Sequence, residues 1–165
     1  MNITVIIVEL LIMFLAFGFL VIGLLMISPL TFISDYPPEI QETYYRTQKK
    51  EAAKEKLNAI MLVKKCVAIV AFMFVFAWML HIAGAETFLQ GLGLAYIYIL
   101  ALFVWDTFFL DWVLFANIKR IRLPGTENMD KEYHQKWFHV KVCLPMIPVF
   151  AAVGALSSLI MIWIW

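Results

Sequence analysis

Charge is scarce in this 165-residue chain. Asp, Glu, Lys and Arg make up only 15% of the residues, whereas 64% are hydrophobic and the mean hydropathy is +0.86. A typical soluble domain is nearer half apolar and about a quarter charged. The shortage of charge therefore excludes an ordinary soluble globular domain, and it predicts a protein that lies mostly within a lipid bilayer.

Cysteine and recognisable catalytic motifs are also nearly missing. The two cysteines, Cys66 and Cys143, fall near the predicted cytoplasmic ends of apolar runs. Thiols stay reduced in that compartment, so we expect no disulfide. The chain has no HExxH, CxxC or nucleotide-binding spacing and no nucleic-acid signature. These absences exclude the familiar motif-bearing enzymes and a nucleic-acid partner.

What the chain has instead is long apolar runs. A bilayer core about 30 Å thick needs roughly 20 apolar residues per helix. Four runs reach that length, at about residues 4–27, 62–82, 89–116 and 140–165. Helices satisfy their own backbone hydrogen bonds in lipid, so we predict an all-α fold with a single four-helix transmembrane domain over residues 1–165. The first run lacks a basic leading region, so we expect a retained helix rather than a signal peptide.

The positive charges lie on one side of these runs. All 13 Lys and Arg residues fall in or beside two connecting loops, at about residues 28–61 and 117–139. The short connection around residues 83–88 has none. The positive-inside rule therefore predicts a plasma-membrane protein with cytoplasmic loops and extracytoplasmic N- and C-termini. We expect the basic residues to contact the anionic head groups of membrane lipids.

Both cytoplasmic loops contain patterns typical of amphipathic helices. In the first loop, strong helix formers follow Pro37-Pro38 and predict a helix that continues into the second membrane helix. In the second loop, Leu123-Pro124-Gly125 predicts a turn. Tyr133, Trp137 and Val140 then predict one amphipathic helix, because their spacing places them on one face.

The fourth membrane helix carries helix-breaking and small residues. Pro145 and Pro148 remove backbone donors and predict a kink. The stretch AAVGALSS, residues 151–158, follows them, and small residues of this kind favour close helix contacts in membranes.

The stretch WDTFFLDW, residues 105–112, places Asp106 and Asp111 inside the third run. A central Asp costs about 2.5–3.5 kcal/mol on insertion scales. Asp106 is farther than Asp111 from the cytoplasmic end of this run, so it needs an internal partner or a proton. On an α-helix, residues five apart are separated by about 140°, so we do not expect the two carboxylates to share one narrow face.

Two interpretations of these aspartates stay open. One is a buried polar clamp, bonded to Thr107 or to Trp and Tyr groups of neighbouring helices. The other is a pocket that opens to the cytoplasm. We favour the pocket, because the insertion cost of two neighbouring aspartates is hard to explain by the stability of the helix bundle alone.

A divalent metal ion is one candidate ligand. His139 and Cys143 are four residues apart and share a helix face, which suits one soft metal. The candidate metal ligands are Asp111, Glu127, His139 and Cys143.

The segments WDTFFLDW, RIRLPGTENM and EYHQKWFHVK resemble a widespread group of small prokaryotic four-helix membrane proteins. In that group an Asp-Trp pair near the end of the third helix precedes a basic stretch, a PGTE segment, and Tyr and His before the fourth helix. The matching positions here are Asp111-Trp112, Arg122, Pro124-Gly125-Thr126-Glu127, Tyr133-His134 and His139, and YPPEIQ in the first loop follows the same pattern. The resemblance covers residues 105–141 and implies where a site lies, without an activity.

These residues together define a candidate polar site facing the cytoplasm. Asp111, Glu127 and His134 are the candidate catalytic groups, as bases or proton carriers. The candidate ligand-binding residues are Asp106, Trp112, Arg122 as an anion clamp, Tyr133 and His139. We expect an integral membrane protein that binds a small or quinone-like ligand, a lipid head group or a metal ion; whether it is an enzyme stays open.

Two alternatives use other parts of the chain. A protomer of an oligomeric ion or small-molecule transporter would use Glu9 and Asp106 as a cation or proton path. The lack of an internal repeat argues against it. An accessory subunit would bind a membrane partner or a second copy of itself through the first loop or the small residues of the fourth helix.

Overall fold

The computed structural model describes residues 1–49 and 59–165, and every regular element within them is helical. The α-helices are α1 (Ile3–Ile27), α2 (Pro38–Thr47), α3 (Ala59–Ile82), α4 (Phe88–Trp105), α5 (Asp130–Tyr133), α6 (Lys136–Cys143) and α7 (Ile147–Ile164). A π-helix, Asp106–Phe115, directly continues α4. Short 3₁₀ segments cover Pro29–Asp35, Lys119–Ile121 and Leu144–Met146. The predicted all-α class is confirmed over these residues.

Three helical stretches are long and apolar enough to cross a membrane. They are Ile3–Ile27, Phe88–Phe115 and Lys136–Ile164. They correspond to the first, third and fourth predicted runs, and the last begins earlier than predicted. The second predicted run falls in α3, whose apolar stretch Cys66–Ile82 is shorter than the roughly 20 residues of a full span. These helices mark the chain as a membrane protein.

The ends of α1 have local causes. The Asn2 side-chain oxygen accepts hydrogen bonds from the backbone N–H groups of Thr4 (3.0 Å) and Val5 (3.3 Å), which caps the first turn. The helix ends at Ile27, because the following Ser28-Pro29 pair disfavours helical backbone at the residue before proline.

The helix predicted in the first loop is present but short. It begins at Pro38, as predicted, and ends at Thr47. Lys49 has a φ of 51°, which is a left-handed conformation outside the helix. The predicted continuation into the second membrane helix runs across residues 50–58, which lie outside the described residues.

The prediction of a single amphipathic helix in the second loop is wrong. The chain forms α5 up to Tyr133 and begins α6 only at Lys136. Tyr133 is 4% exposed whereas Trp137 is 63% exposed, so the two do not share a buried face. The 3₁₀ segment Leu144–Met146 interrupts the α-helical pattern at Pro145, between α6 and α7, and the kink predicted at the prolines stays a prediction.

The chain divides into two compact units. Unit 1 comprises Met1–Met13, Glu55–Phe103 and Met146–Trp165, and unit 2 comprises Phe14–Lys54 and Val104–Pro145. The single transmembrane domain over residues 1–165 stays a prediction.

Unit 1 is a packed helical core. Its buried residues include Phe76, Ala77, Leu80, Leu94, Ala95, Tyr98 and Met161. A Cβ atom at Gly154 would lie 2.7 Å from Cε1 of Tyr96, and one at Gly91 would lie 3.0 Å from Cε of Met161. The predicted role of small residues in close helix contacts is thus met inside unit 1. Gly154, Ser157 and Ser158 of the stretch are buried, whereas Ala151 and Ala152 are exposed, and the accessory-subunit alternative stays a prediction.

Unit 2 packs the two predicted loops together. Its buried core is formed by Leu25, Tyr36, Ile40, Tyr44, Ile121, Leu123 and Tyr133. The Tyr36 hydroxyl donates a hydrogen bond of 3.0 Å to the Ile121 carbonyl, which links the first loop to the second. Burial, together with Tyr133 and Asp35 nearby, raises the pKa of Tyr36, so its phenol stays neutral. The residues of the predicted site belong to this unit.

Candidate functional site

The helix that carries both aspartates is not an α-helix at that point. Residues Asp106–Phe115 form a π-helix, in which backbone N–H groups bond to carbonyls five residues back. The N–H of Ala116, for example, donates to the Asp111 carbonyl. Residues five apart therefore stack along one side. The prediction that Asp106 and Asp111 do not share a face is wrong, because it assumed 3.6 residues per turn.

Both aspartates line one cavity of about 160 Å³ in unit 2. The other lining residues come from α1, the first loop, the π-helix and α6: Phe17, Val21, Ile22, Leu25, Phe32, Asp35, Tyr36, Leu110, Phe115 and His139. Most of the wall is apolar, and the polar groups are carboxylates, one imidazole and one phenol. This cavity supports the interpretation of the two aspartates as pocket residues.

Asp106 has an internal partner in His139. Nε2 of His139 lies 2.8 Å from Oδ2 of Asp106, and both side chains are about one-fifth exposed. An N–H donor at this distance offsets part of the cost of keeping a carboxylate out of water. The predicted clamp through Thr107 is absent from the described residues, where the buried Thr107 hydroxyl oxygen has no hydrogen-bond partner.

Cys143 also approaches His139, as its spacing predicted. Its Sγ lies 3.4 Å from the same Nε2 atom that faces Asp106. A nucleophilic cysteine needs an imidazole nitrogen with a lone pair to take the thiol proton. Because the N–H at Nε2 donates to Asp106, this nitrogen has no lone pair for the thiol. The arrangement therefore does not support cysteine nucleophilic catalysis.

Arg122 is committed to contacts within its own loop. It is 4% exposed, and its guanidinium donates to the carbonyls of Glu127 (2.5 Å) and Ala116 (3.1 Å). It also lies 2.6 Å from Oδ1 of Asp130 and 4.6 Å from the centre of the Tyr133 ring. Arg122 and these four partners are called the Arg122 network below. The network leaves Arg122 poorly placed to act as an anion clamp.

The PGTE segment forms a closed turn. Gly125 has a φ of 86°, a conformation that favours glycine. The Glu127 carboxylate accepts hydrogen bonds from the Gly125 N–H at 2.9 and 3.0 Å, and these bonds hold the pKa of that carboxyl below its usual value. Glu127 is thus occupied as a turn-capping group, and it does not line the cavity with the two aspartates.

The Tyr133 hydroxyl completes this turn. It accepts a hydrogen bond from the Leu123 N–H (3.0 Å) and donates one to Oγ1 of Thr126 (2.8 Å), which itself donates to the Leu123 carbonyl. Burial raises the pKa of Tyr133, so the phenol stays neutral and keeps these bonds. Tyr133 supports the loop and does not line the cavity.

His134 and Trp112 also lie outside the cavity lining. Nδ1 of His134, an exposed residue, donates a 2.6 Å hydrogen bond to the Asp130 carbonyl at the end of α5. The indole N–H of Trp112 donates to the Lys136 carbonyl at 2.6 Å, and the Lys136 ammonium lies 5.3 Å from the Trp112 ring. The structure thus brings Asp106, Asp111 and His139 of the predicted set to the cavity, with Cys143 beside His139. The other predicted residues make contacts outside the cavity lining.

Several cavity residues were missed by the sequence reasoning. Tyr36 is fully buried and Asp35 precedes it, next to the YPPEIQ segment that carried part of the resemblance. That segment was the available signal for both. No sequence signal indicated Phe17, Phe32 or Phe115, because a Phe that lines a cavity and a Phe that faces lipid have the same sequence pattern.

The predicted metal site lacks a ligand set in the described part of the chain. Over residues 1–49 and 59–165, no group of three or more His, Cys, Asp or Glu side chains is arranged to hold a metal ion. Glu127, one of the four candidate ligands, is bonded to its own turn.

Glu9, which the transporter alternative used, is paired within unit 1. It is 9% exposed, and its carboxylate accepts a hydrogen bond from the Tyr98 hydroxyl. Buried polar groups are normally hydrogen-bonded, so this pairing is expected of a structural residue and does not by itself indicate an ion path. The transporter alternative stays a prediction.

Comparisons of the chain with protein-family models, curated proteins and solved structures found no match. Any functional conclusion therefore depends on the geometry of the site itself.

Proposed function

We propose that this chain is a four-span protein of the prokaryotic cell membrane whose unit 2 cavity binds a small ligand. In this proposal α3 supplies the fourth span, the two long loops are cytoplasmic and both termini are outside. Three full-length apolar helices, the apolar stretch Cys66–Ile82 and the placement of all 13 Lys and Arg residues support the membrane part. The resemblance of residues 105–141 to small prokaryotic membrane proteins supports the same assignment.

The cavity beside the two aspartates carries the binding part of the proposal. Small-molecule sites are concave and mostly apolar, with a few convergent polar groups. The unit 2 cavity has this character, with apolar side chains around Asp106, Asp111 and His139. In another protein, an engineered cavity of about 150 Å³ holds benzene. A ligand of similar size therefore fits the roughly 160 Å³ present here.

Binding is a better-supported role than catalysis. His139 is engaged with Asp106, and two of the three candidate catalytic groups, Glu127 and His134, make loop contacts away from the cavity lining. Among the described residues that line the cavity, no nucleophile is paired with a base. The proposal therefore assigns a binding site and no reaction.

A thermal-shift screen tests whether the cavity is a binding site. The purified protein would be screened with a panel of benzene-sized fragments that includes neutral, cationic and anionic members. The comparison is with Val21→Phe, which fills the cavity, and with Val8→Phe, an exposed position on the same helix. We expect at least one fragment, at a hundredfold excess over its Kd, to raise the Tm of the wild type by roughly 5 °C or more.

The two variants decide the outcome. The stabilisation should persist in Val8→Phe and disappear in Val21→Phe. If no fragment distinguishes the wild type from Val21→Phe, the cavity does not bind small ligands and the proposal fails.

A further inference from the structure

The cavity walls are aromatic as well as acidic. Four rings line it, those of Phe17, Phe32, Tyr36 and Phe115. The face of an aromatic ring carries negative potential and attracts a cation within about 6 Å of its centre. Rings gathered around a carboxylate are therefore suited to a positively charged ligand, and they add little for an anion.

The charges that line the cavity are unbalanced. Its lining contains three carboxylates, from Asp35, Asp106 and Asp111, and His139 is the one lining group that can carry a positive charge. His139 is 2.8 Å from Asp106, so that carboxylate already has its partner. Asp111 lines the same cavity and has no part in this ion pair. A ligand with one positive charge would pair with Asp111, whereas Asp35 is exposed to solvent.

The size and chemistry of the walls select among cations. A bare divalent ion needs several nitrogen, oxygen or sulfur ligands from the protein. Over the described residues, no group of three or more His, Cys, Asp or Glu side chains is arranged to supply them, and phenyl rings add nothing. An organic ammonium ion gains from both the carboxylate and the rings, as in aromatic cages for quaternary ammonium groups. A volume of about 160 Å³ holds a molecule near the size of benzene.

We propose that the unit 2 cavity binds a small organic ammonium ion. Asp111 pairs with the ammonium group, and the rings of Phe17, Tyr36 and Phe115 enclose its alkyl substituents. His139 pairs with Asp106, which leaves Asp111 for the ligand. This inference rests on the proposed function, since it specifies the class of ligand for the same cavity.

Isothermal titration calorimetry with charged and neutral molecules of the same shape tests the ligand class. The full chain would be purified in a maltoside detergent, which carries no ammonium group. The probes are choline and its neutral carbon analogue 3,3-dimethylbutan-1-ol, with benzylamine and benzyl alcohol as a second pair. We expect at least one ammonium probe to bind about tenfold or more tightly than its neutral partner.

Matched variants locate the effect. Asp111→Asn should weaken binding of that ammonium probe by about tenfold or more, and Phe115→Leu by about fivefold. Glu86→Gln, an exposed acidic position in unit 1, should leave binding unchanged. Circular dichroism spectra equal to those of the wild type would show that the variants are folded, and Phe17→Leu replaces Phe115→Leu if that variant unfolds.

Two results would overturn the ammonium assignment. One is equal affinity for the charged and neutral members of both pairs, including binding of neither. The other is unchanged ammonium binding in Asp111→Asn. If neutral or anionic fragments still lose binding in Val21→Phe, the small-ligand function survives and the ligand class alone is wrong. If Val21→Phe changes nothing, both proposals fail.

Discussion

Units 1 and 2 bury their residues in different ways. In unit 1, glycines on α4 and α7 let neighbouring side chains come close, and the space that a Cβ at Gly154 would need is filled by Tyr96. In unit 2, the close glycine contact lies in a loop, where a Cβ at Gly125 would be 2.7 Å from Cγ2 of Thr47. A buried arginine, a π-helix and a cavity of about 160 Å³ belong to the same unit. Unit 1 thus brings helices together through small residues, whereas unit 2 places two membrane-run carboxylates and an imidazole on one cavity.

The π-helix is what makes the polar unit suitable for a ligand. A π-helix is rare in proteins, and segments of this kind occur frequently at functional sites. Here the ten-residue segment Asp106–Phe115 aligns two carboxylates that an α-helix would point apart. Asp106 is then balanced by His139, and Asp111 lines the cavity beside it.

The largest expected effect comes from breaking the Arg122 network. Arg122→Ala would leave the Ala116 and Glu127 carbonyls without their donor and the exposed Asp130 without its partner. We expect a loss of about 3 kcal/mol in the free energy of unfolding, since each buried bond to a charged group contributes about 1.5–3 kcal/mol. Chemical denaturation in detergent, followed by tryptophan fluorescence, measures this loss.

Arg120→Ala is the matched control, because Arg120 is exposed two residues earlier in the same loop. It should change the free energy of unfolding by less than about 0.5 kcal/mol. Equal effects of the two substitutions would mean that Arg122 does not stabilise unit 2 through its internal bonds.

A smaller effect is expected from crowding the close contact in unit 1. Gly154→Ala places a Cβ atom 2.7 Å from Cε1 of Tyr96, so the ring must move. Overpacking of this kind costs typically about 1–3 kcal/mol, which outweighs the gain of up to about 1 kcal/mol from replacing glycine by alanine in a helix. The Tm of Gly154→Ala should therefore fall below that of the wild type.

Gly93→Ala controls for the helix propensity alone, because a Cβ at Gly93 meets nothing within 4 Å. Its Tm should stay the same or rise. If Gly154→Ala were as stable as Gly93→Ala, the assignment of close helix contacts through glycine to unit 1 would lose its basis.

Much of the fold could be predicted, because hydropathy and proline act locally along the chain. The spans Ile3–Ile27 and Phe88–Phe115 match their predicted runs closely, and the prolines of the fourth span interrupt it where expected. The π-helix could not be predicted in this way. Its run of Phe, Leu, Val and Trp satisfies an α-helix equally well, and the choice depends on contacts made after folding.

The candidate site was predicted in part for a similar reason. Asp106 and Asp111 are conspicuous, since a carboxylate in an apolar run is costly. Arg122 and Glu127 are conspicuous too, but the sequence does not show that their hydrogen-bonding capacity is used within their own turn. Tyr36 reaches the cavity through a loop contact with Ile121, 85 residues away, which no local pattern indicates.

Asp106 and Asp111 face one cavity because their segment is a π-helix. NMR couplings transmitted through backbone hydrogen bonds test it most directly, since they identify which carbonyl each amide contacts. We expect the Ala116 amide to correlate with the Asp111 carbonyl, and the Asp111 amide to correlate with the Asp106 carbonyl. Correlations to Trp112 and Thr107 instead would show an ordinary α-helix and would contradict the account.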